Sequence, residues 1–161
     1  MLNSRASLKR SPRSTAVGAL AVCVELISNA YNTRMPLMWP TLTVQDVERS
    51  LAFYRDRLGL EQDLAERDET GALFLASVEV GDTVIMLNRA HAGTPLHPQR
   101  SGVRLTLLFD RDDDIDALLD RLQSGGAEVC SPIGNRPWGH RDFTVFDPDG
   151  YHITIARPRE K

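Results

Sequence analysis

The sequence predicts an α+β fold in which two βαβββ modules form a cupped mixed sheet. The same order of predicted elements occurs twice between residues 38 and 158, in two copies of about 55 residues each. Within the predicted strands, aliphatic side chains alternate with more polar ones, so each sheet has one apolar and one mixed face. Because a module of this size cannot cover both faces of its own small sheet, the two modules are expected to pair.

The first module is predicted to contain a helix over residues 47–60, between its first strand and the later ones. Asp46 is suited to cap the N-terminus of this helix, and Gly59 ends the helical periodicity of the apolar residues. The predicted strands are WPTLTV (39–44), ALFLASVEV (72–80) and TVIMLNR (83–89). The connection EQDLAERDETG is a candidate for a further short strand.

The second module repeats this order, with a helix predicted over residues 115–126. Acidic residues at 112–114 favour the N-terminus of this helix, and Gly125-Gly126 ends it. The predicted strands are VRLTLLF (103–109), AEVCSPIG (127–134), RDFTVF (141–146) and YHITIARP (151–158). A tight hairpin turn over residues 147–150, of sequence Asp-Pro-Asp-Gly, joins the last two strands.

The alternation within the strands assigns side chains to the two faces of each sheet. The face predicted to lie under the helices carries Leu42, Val44, Ile85, Leu87, Leu105, Leu107, Phe109, Ile153 and Ile155. The mixed face carries Trp39, Thr41, Thr43, Val84, Met86, Asn88, Arg104, Thr106, His152 and Thr154. Two mixed faces brought together would enclose a cavity with a few polar groups, which is typical of a small-molecule site.

The charge of the chain is unevenly distributed and argues against a nucleic-acid partner. Residues 35–161 contain 14 basic and 21 acidic residues, a net charge of −7, whereas residues 1–34 have a net charge of +4. An acidic body repels phosphate backbones. It is compatible with a cationic small ligand, and equally with charge that serves solubility alone.

Residues 1–37 are predicted to be an N-terminal extension outside the domain, which is expected over 38–158. Module one is expected over 38–90, a linker over 91–101 and module two over 102–158. The extension is interpreted as a loosely ordered tail or as sequence upstream of a true start at Met35, with an export signal as the alternative. Its apolar run is too short to span a membrane, and the two cysteines are not spaced as a metal pair, so we expect a cytoplasmic protein.

Three stretches of the chain resemble the vicinal oxygen chelate superfamily, which includes glyoxalases, bleomycin-resistance proteins and extradiol dioxygenases. They are LTVQDVERSLAFYRDRLGLE, VGDTVIML and FTVFDPDGYHITI, and the resemblance covers about residues 38–158. It implies paired βαβββ modules that form a cupped sheet, often completed in a dimer.

Metal-using members of that superfamily place two His, Glu or Gln ligands in each module, on its first and last strands. The resemblance puts Trp39 and Met86 at these positions in module one, and Arg104 and Thr154 in module two. An indole N–H, a permanent cation and a soft thioether do not hold a hard divalent ion, and a lone threonine binds one weakly. No metal or other cofactor is therefore expected.

The segment NRPWGHRDFTVFDPDG is similar to the metal-free, bleomycin-resistance branch of the superfamily. The resemblance implies a dimer that sequesters a large cationic compound in clefts at its interface. Trp138, held between Pro137 and Gly139, would then present its ring to the ligand, and its alternative role is to fill the dimer contact. Arg104 departs from this pattern, because a cation at the cavity repels a positive ligand unless an acid neutralises it.

The four histidines are candidates for polar contacts. His152 shares the cavity face with Thr154 and is interpreted either as a ligand or proton-transfer group or as a hydrogen-bonded histidine of the sheet. His140 is predicted to lie in a loop and to be exposed. His91 and His97 fall in the predicted linker.

Three functional hypotheses follow from the sequence. The preferred one is a metal-independent, homodimeric protein that binds an aromatic or cationic small molecule, in the manner of antibiotic-resistance proteins; Arg104 would meet an anionic or carbonyl group. Its ligand-binding residues would be Trp39, Met86, Arg104, Trp138, His152 and Thr154. The alternative is a glyoxalase-like lyase or isomerase, or a dioxygenase-related enzyme, in which His152 and Arg104 act without metal. The third is an assembly or regulatory module with a vestigial, apolar pocket.

Overall fold

The computed structural model describes residues 38–94, 96 and 102–159. These residues lie within one compact unit, Leu37–Lys161. In the first half the elements are β1 (Thr41–Val44), α1 (Val47–Ala52), a π-helical turn (Phe53–Arg57), β2 (Gln62–Arg67), β3 (Leu73–Val80) and β4 (Thr83–Arg89). In the second half they are β5 (Arg104–Leu108), α2 (Ile115–Ser124), β6 (Val129–Asn135), β7 (His140–Phe146) and β8 (His152–Pro158).

Each half forms its own four-stranded mixed sheet, in the orders β1-β4-β3-β2 and β5-β8-β7-β6. The first and last strands of each module pair in parallel, and the other pairs are antiparallel. A parallel pair needs a long connection between its strands, and α1 or α2 together with two strands provides it. The α+β fold with two βαβββ modules is confirmed, including the further short strand between α1 and β3, which is β2.

Two predicted boundaries in the first module were wrong. β1 begins at Thr41 rather than at 39, because Pro40 has no N–H to donate, although its carbonyl accepts from the Met86 N–H at 2.9 Å. The helix predicted over 47–60 is α-helical only to Ala52. It then widens into the π-helical turn, in which the Leu58 N–H donates to the Phe53 carbonyl at 3.1 Å.

The predicted apolar face forms the core of both modules. Leu42, Val44, Ile85, Leu87, Leu107, Ile153 and Ile155 are buried, and Leu105 and Phe109 pack partly buried against them. α2 contributes Ile115 and Leu122 from one side of the helix, and Asp114 caps it by accepting from the Ala117 N–H at 3.0 Å. The helices therefore lie on the apolar faces, which leaves the mixed faces for other contacts.

The turn between β7 and β8 anchors the second module to α1 and the π-helical turn of the first. Asp147 is buried and its Oδ2 accepts from the Tyr54 hydroxyl at 2.9 Å, and the Asp149 side chain accepts from the Ser50 hydroxyl at 2.8 Å. The Tyr151 hydroxyl donates in turn to the Thr43 carbonyl at 3.0 Å. Burial raises the pKa of Asp147, and the hydrogen bonds that it accepts partly oppose this effect.

Some expectations concern residues that lie outside those described. They are the interpretation of the extension 1–37, the position of His97, and part of the linker 91–101. Across 38–94, 96 and 102–159, no helix is long and apolar enough to cross a membrane.

Candidate functional site

The mixed face of the second sheet forms a pocket of about 380 Å³. Its lining consists of side chains that alternate with core positions along β5 to β8 and of the hairpin between β6 and β7. The lining residues are Arg104, Thr106, Ser131, Arg136, Trp138, His140, Asp142, Thr144, Thr154 and Ala156. The third hypothesis expects an apolar, plugged cavity, whereas this pocket is lined mainly by polar side chains.

The floor of the pocket is a pair of hydroxyl groups. Thr144 and Thr154 face each other across β7 and β8, both buried, and their Oγ1 atoms are 2.9 Å apart. Each hydroxyl can donate one hydrogen bond and accept others, so the pair has capacity left for a ligand. The floor therefore offers polar contacts without charge.

One wall of the pocket is an ion pair whose charges compensate each other. The Arg136 Nε donates to Asp142 Oδ1 at 2.7 Å, and the exposed fractions of the two side chains are 24% and 10%. Arg136 also donates to the Ser131 hydroxyl at 3.2 Å and to the Pro132 carbonyl at 2.8 Å. This guanidinium and this carboxylate hold the β6–β7 hairpin together and leave little net charge for a ligand.

Arg104 is the charged group of the lining that lacks a partner. It is exposed, and within 38–94, 96 and 102–159 its guanidinium makes neither a hydrogen bond nor an ion pair. Since Arg136 and Asp142 compensate each other, the unpaired charge of the pocket is positive. A group of this kind binds carboxylates, phenolates or carbonyl oxygens.

Trp138 lies at the tip of the β6–β7 hairpin, above the pocket, and 68% of its surface is exposed. The tip closes tightly, with the Gly139 N–H donating to the Arg136 carbonyl at 3.1 Å. Gly139 adopts φ = 90°, in the left-handed region that favours glycine. An exposed indole fixed on a tight turn presents a flat face on which an aromatic ligand can stack.

The pocket brings together three of the six predicted ligand-binding residues: Arg104, Trp138 and Thr154. Trp39 lies just before β1 and Met86 lies on β4, so both are in the first module, and neither lines this pocket. His152 is on β8 but outside the lining, and its ring packs edge-on against Phe146 at a centroid distance of 4.6 Å.

The structure adds polar residues that sequence reasoning did not assign to the site. His140 was expected in an exposed loop, but it begins β7, is partly buried, and shares its face with Asp142 and Thr144. The alternation within HRDFTVF contains this information, because His140, Asp142 and Thr144 are two residues apart and alternate with core positions. The pairing of Arg136 with Asp142 has no comparable signal in the sequence.

Comparison with known proteins identifies the family. Residues 37–155 match the Glyoxalase/Bleomycin resistance protein/Dioxygenase superfamily. The chain belongs to this superfamily. Among curated proteins, the chain is similar to the glutathione transferase FosA of Serratia marcescens, with 29% identity over 115 residues that cover 71% of this chain and 75% of FosA.

Solved structures that are similar to this chain share its fold. A glyoxylase/bleomycin resistance protein/dioxygenase domain from Frankia is 22% identical, with a TM-score of 0.62 over 80% of this chain and 95% of that domain. TnmS3, an antibiotic binding protein from a Streptomyces species, is 27% identical, with a TM-score of 0.57 over 79% of this chain and 99% of TnmS3.

The four residues that the resemblance places at the metal-binding positions of glyoxalase-type proteins have side chains that divalent ions do not favour. They are an indole, a thioether, a guanidinium and a hydroxyl, from Trp39, Met86, Arg104 and Thr154. The first two are on one sheet and the last two on the other, and the Thr154 hydroxyl already bonds Thr144. Among the described residues, no three His, Cys, Asp or Glu side chains are grouped so that they could hold a metal.

Proposed function

We propose that this protein is a metal-independent small-molecule-binding protein that sequesters an aromatic compound, in the manner of antibiotic-resistance proteins of its superfamily. The observation that carries the proposal is the exposed ring of Trp138 above a pocket with a hydroxyl floor. A stacking surface with a few polar groups below it is the usual composition of a site for a flat organic molecule. The similarity to the antibiotic binding protein TnmS3 also supports a small-molecule-binding function.

We also propose that the protein is a homodimer and that the second copy covers the open rim of this pocket. Among the described residues, β1 and β5 are edge strands of their sheets, and one side of each pairs with no other described strand. Leu108 on β5 projects to the same side as Arg104 and Thr106, and 66% of its surface is exposed. An exposed leucine beside an unpaired strand edge favours burial against another chain.

Isothermal titration calorimetry with planar aromatic compounds such as anthraquinones, and separately with bleomycin, tests the proposal. We expect saturable binding by the full chain, and Trp138→Ala to weaken it by about tenfold, as loss of a stacked aromatic contact does. Val103→Ala, another exposed apolar side chain outside the pocket, is the matched control and is expected to keep the affinity. Absence of binding across the series, or equal affinity in Trp138→Ala, would contradict the proposal; a monomeric mass by light scattering on the same sample would contradict the dimer.

A second candidate function is an enzyme of the glyoxalase type. Two observations favour it: the similarity to the glutathione transferase FosA, and the presence of His140 and Arg104 in one pocket. An imidazole can move a proton and a guanidinium can stabilise an enolate-like anion.

Elemental analysis of the purified protein tests whether such an enzyme would depend on a metal. Because an indole, a thioether, a guanidinium and a single hydroxyl are poor ligands for these ions, we expect less than about 0.1 equivalent of nickel, zinc, manganese or iron per chain after equilibration with each ion and desalting. One equivalent retained by the wild type, and lost in His140→Gln, would favour the metal enzyme over the binding protein.

A further inference from the structure

A row of polar side chains crosses the second sheet on the face opposite the candidate functional site. In the register of the strands, Asn135 on β6 is opposite Arg141 on β7, and Arg141 is opposite Arg157 on β8. Arg141 and the buried Phe143 are two residues apart on β7, so their side chains are on the same face of the sheet. Arg141 also binds Asp116 in the first turn of α2. The row therefore lies on the helix side, at the rim of the core.

The positive charge in this row is only partly compensated. The Arg141 Nε donates to Asp116 Oδ2 at 2.9 Å, and a second nitrogen of the same guanidinium bonds the other oxygen of this carboxylate. Within the described residues Arg157 and Arg159 form no ion pair with a carboxylate, and the charge of Arg157 contributes, after that of Arg141, to the lowered pKa of Asp116. Like charges directly opposite on antiparallel strands repel, so Arg141 and Arg157 share a face at a cost in free energy.

The Arg157 side chain also has an unused donor. Its Nε is buried and has no hydrogen-bond partner. Among the described residues, no other buried side-chain nitrogen or oxygen lacks a partner. One terminal nitrogen of the same guanidinium donates to the Arg111 carbonyl at 3.2 Å, which fixes the group in place. A buried charged donor without an acceptor is unfavourable, and because this Nε is shielded from solvent, an anion beside the guanidinium would contact its terminal nitrogens.

These side chains line a pocket of about 270 Å³, which we name the arginine pocket. Its lining is Asn135, Arg141, Arg157 and Arg159, and contains no carboxylate. The acidic loop Asp110–Asp114 lies before α2 but does not line it. Guanidinium groups match the geometry of oxyanions, to which they donate two parallel hydrogen bonds.

We propose that the arginine pocket is a binding site for a small tetrahedral oxyanion, a phosphate or sulfate ion. The anion would accept from the guanidinium groups of Arg157 and Arg159 and from the Asn135 amide, and it would relieve the repulsion between Arg157 and Arg141. The pocket offers no aromatic surface, and it lies across the sheet from Trp138 and Arg104. The two sites therefore bind different ligands.

Titration of the full chain with inorganic phosphate, at constant ionic strength maintained with sodium chloride, tests this proposal. We expect saturable binding by calorimetry and a shift of the Arg157 Nε–Hε resonance in proton–nitrogen NMR spectra. Arg159 is exposed, and Arg159→Gln removes its guanidinium from the pocket. We expect this variant to weaken phosphate binding by about tenfold. Arg157→Gln is expected to weaken it at least as much.

Arg55→Gln is the matched control, because it removes an exposed guanidinium that is already paired with Asp56, and it is expected to keep phosphate binding unchanged. If chloride at the same ionic strength gives the same NMR shifts, the response is a general salt effect and the proposal is wrong. Equal phosphate affinity in Arg159→Gln and the wild type would also overturn it. Because Arg159 is at the surface, this result decides the question even if Arg157→Gln does not fold.

Discussion

Replacement of Asp147 by alanine is expected to lower the free energy of unfolding by about 2–4 kcal/mol at pH 7. The buried Asp147 carboxylate accepts from the Tyr54 hydroxyl and from the backbone N–H groups of Asp149 and Tyr151, at 2.9, 3.0 and 2.8 Å. Alanine leaves the buried Tyr54 hydroxyl without its acceptor and removes two bonds that shape the turn. Because Tyr54 belongs to module one and the turn to module two, the contact between modules weakens.

Urea unfolding followed by fluorescence measures this change, and two variants control it. Asp147→Asn keeps an oxygen for the turn N–H groups and is expected to cost clearly less than Asp147→Ala. Asp56→Ala removes an exposed carboxylate that pairs with its neighbour Arg55, and little change is expected. Equal stability of Asp147→Ala and the wild type would show that the turn does not hold the modules together.

The stability difference between the wild type and Asp147→Asn is expected to depend on pH, with a definite sign. Burial raises the pKa of Asp147 above its ordinary value of 3.8. A carboxyl with a raised pKa in the folded state contributes stability below its unfolded pKa and loses that contribution as the pH rises through the folded pKa. Asparagine does not titrate, so the advantage of the wild type over Asp147→Asn should shrink as the pH rises above the ordinary pKa of 3.8. An advantage that grows with rising pH would contradict the assignment.

The sequence predicts the fold of this protein well because the fold depends on local signals. The caps at Asp46 and Asp114 and the alternation of core residues lie within a few residues of the elements they define. The errors are local as well: Pro40 delays β1, and α1 widens into a π-helical turn after Ala52. Neither feature changes the order of the strands.

The candidate site is less predictable because it depends on register and on distant contacts. The Asp-Pro-Asp-Gly turn was predicted as a hairpin turn, but its contacts with Tyr54 and Ser50 join residues 93 and 99 positions apart. The compensation of Arg136 by Asp142 likewise requires the two strands of a hairpin to be aligned. Sequence alternation can assign residues to a face, but it does not show which charges on that face are paired.

Among aromatic ligands of one shape, the candidate pocket is expected to bind an anion most tightly. This expectation rests on the proposed function and on the charges of the pocket that remain unpaired. Asp142 is 10% exposed and bonded to Arg136, so it is poorly placed to receive a cationic ligand. Arg104 is exposed and unpaired among the described residues, and it can donate to a carboxylate. The sequence alone was compatible with a cationic ligand. The pairing of Arg136 with Asp142, which leaves Arg104 as the unpaired charge, favours an anionic ligand.

Three naphthalene derivatives test this preference by calorimetry: 2-naphthoate, 2-naphthamide and 2-naphthylmethylammonium. We expect the carboxylate to bind about tenfold more tightly than the amide, and the ammonium most weakly, because a partly exposed charge-assisted hydrogen bond is worth about 1–2 kcal/mol. Arg104→Gln should abolish the difference between carboxylate and amide, and Arg104→Glu should reverse the order. The preference should also decrease as salt is raised, since Arg104 is exposed to solvent.

The outcomes of this titration separate the charge preference from the binding function itself. If none of the three compounds binds, the pocket is not a site for small aromatic molecules, and the proposed function loses its support. If all three bind with similar affinity, the aromatic site stands and Arg104 is not its selective group. If the ammonium binds most tightly, the net charge of −7 on residues 35–161 outweighs Arg104. An effect of the whole charge distribution would weaken steeply with added salt and would persist in Arg104→Gln, whereas selection by Arg104 would be lost in that variant.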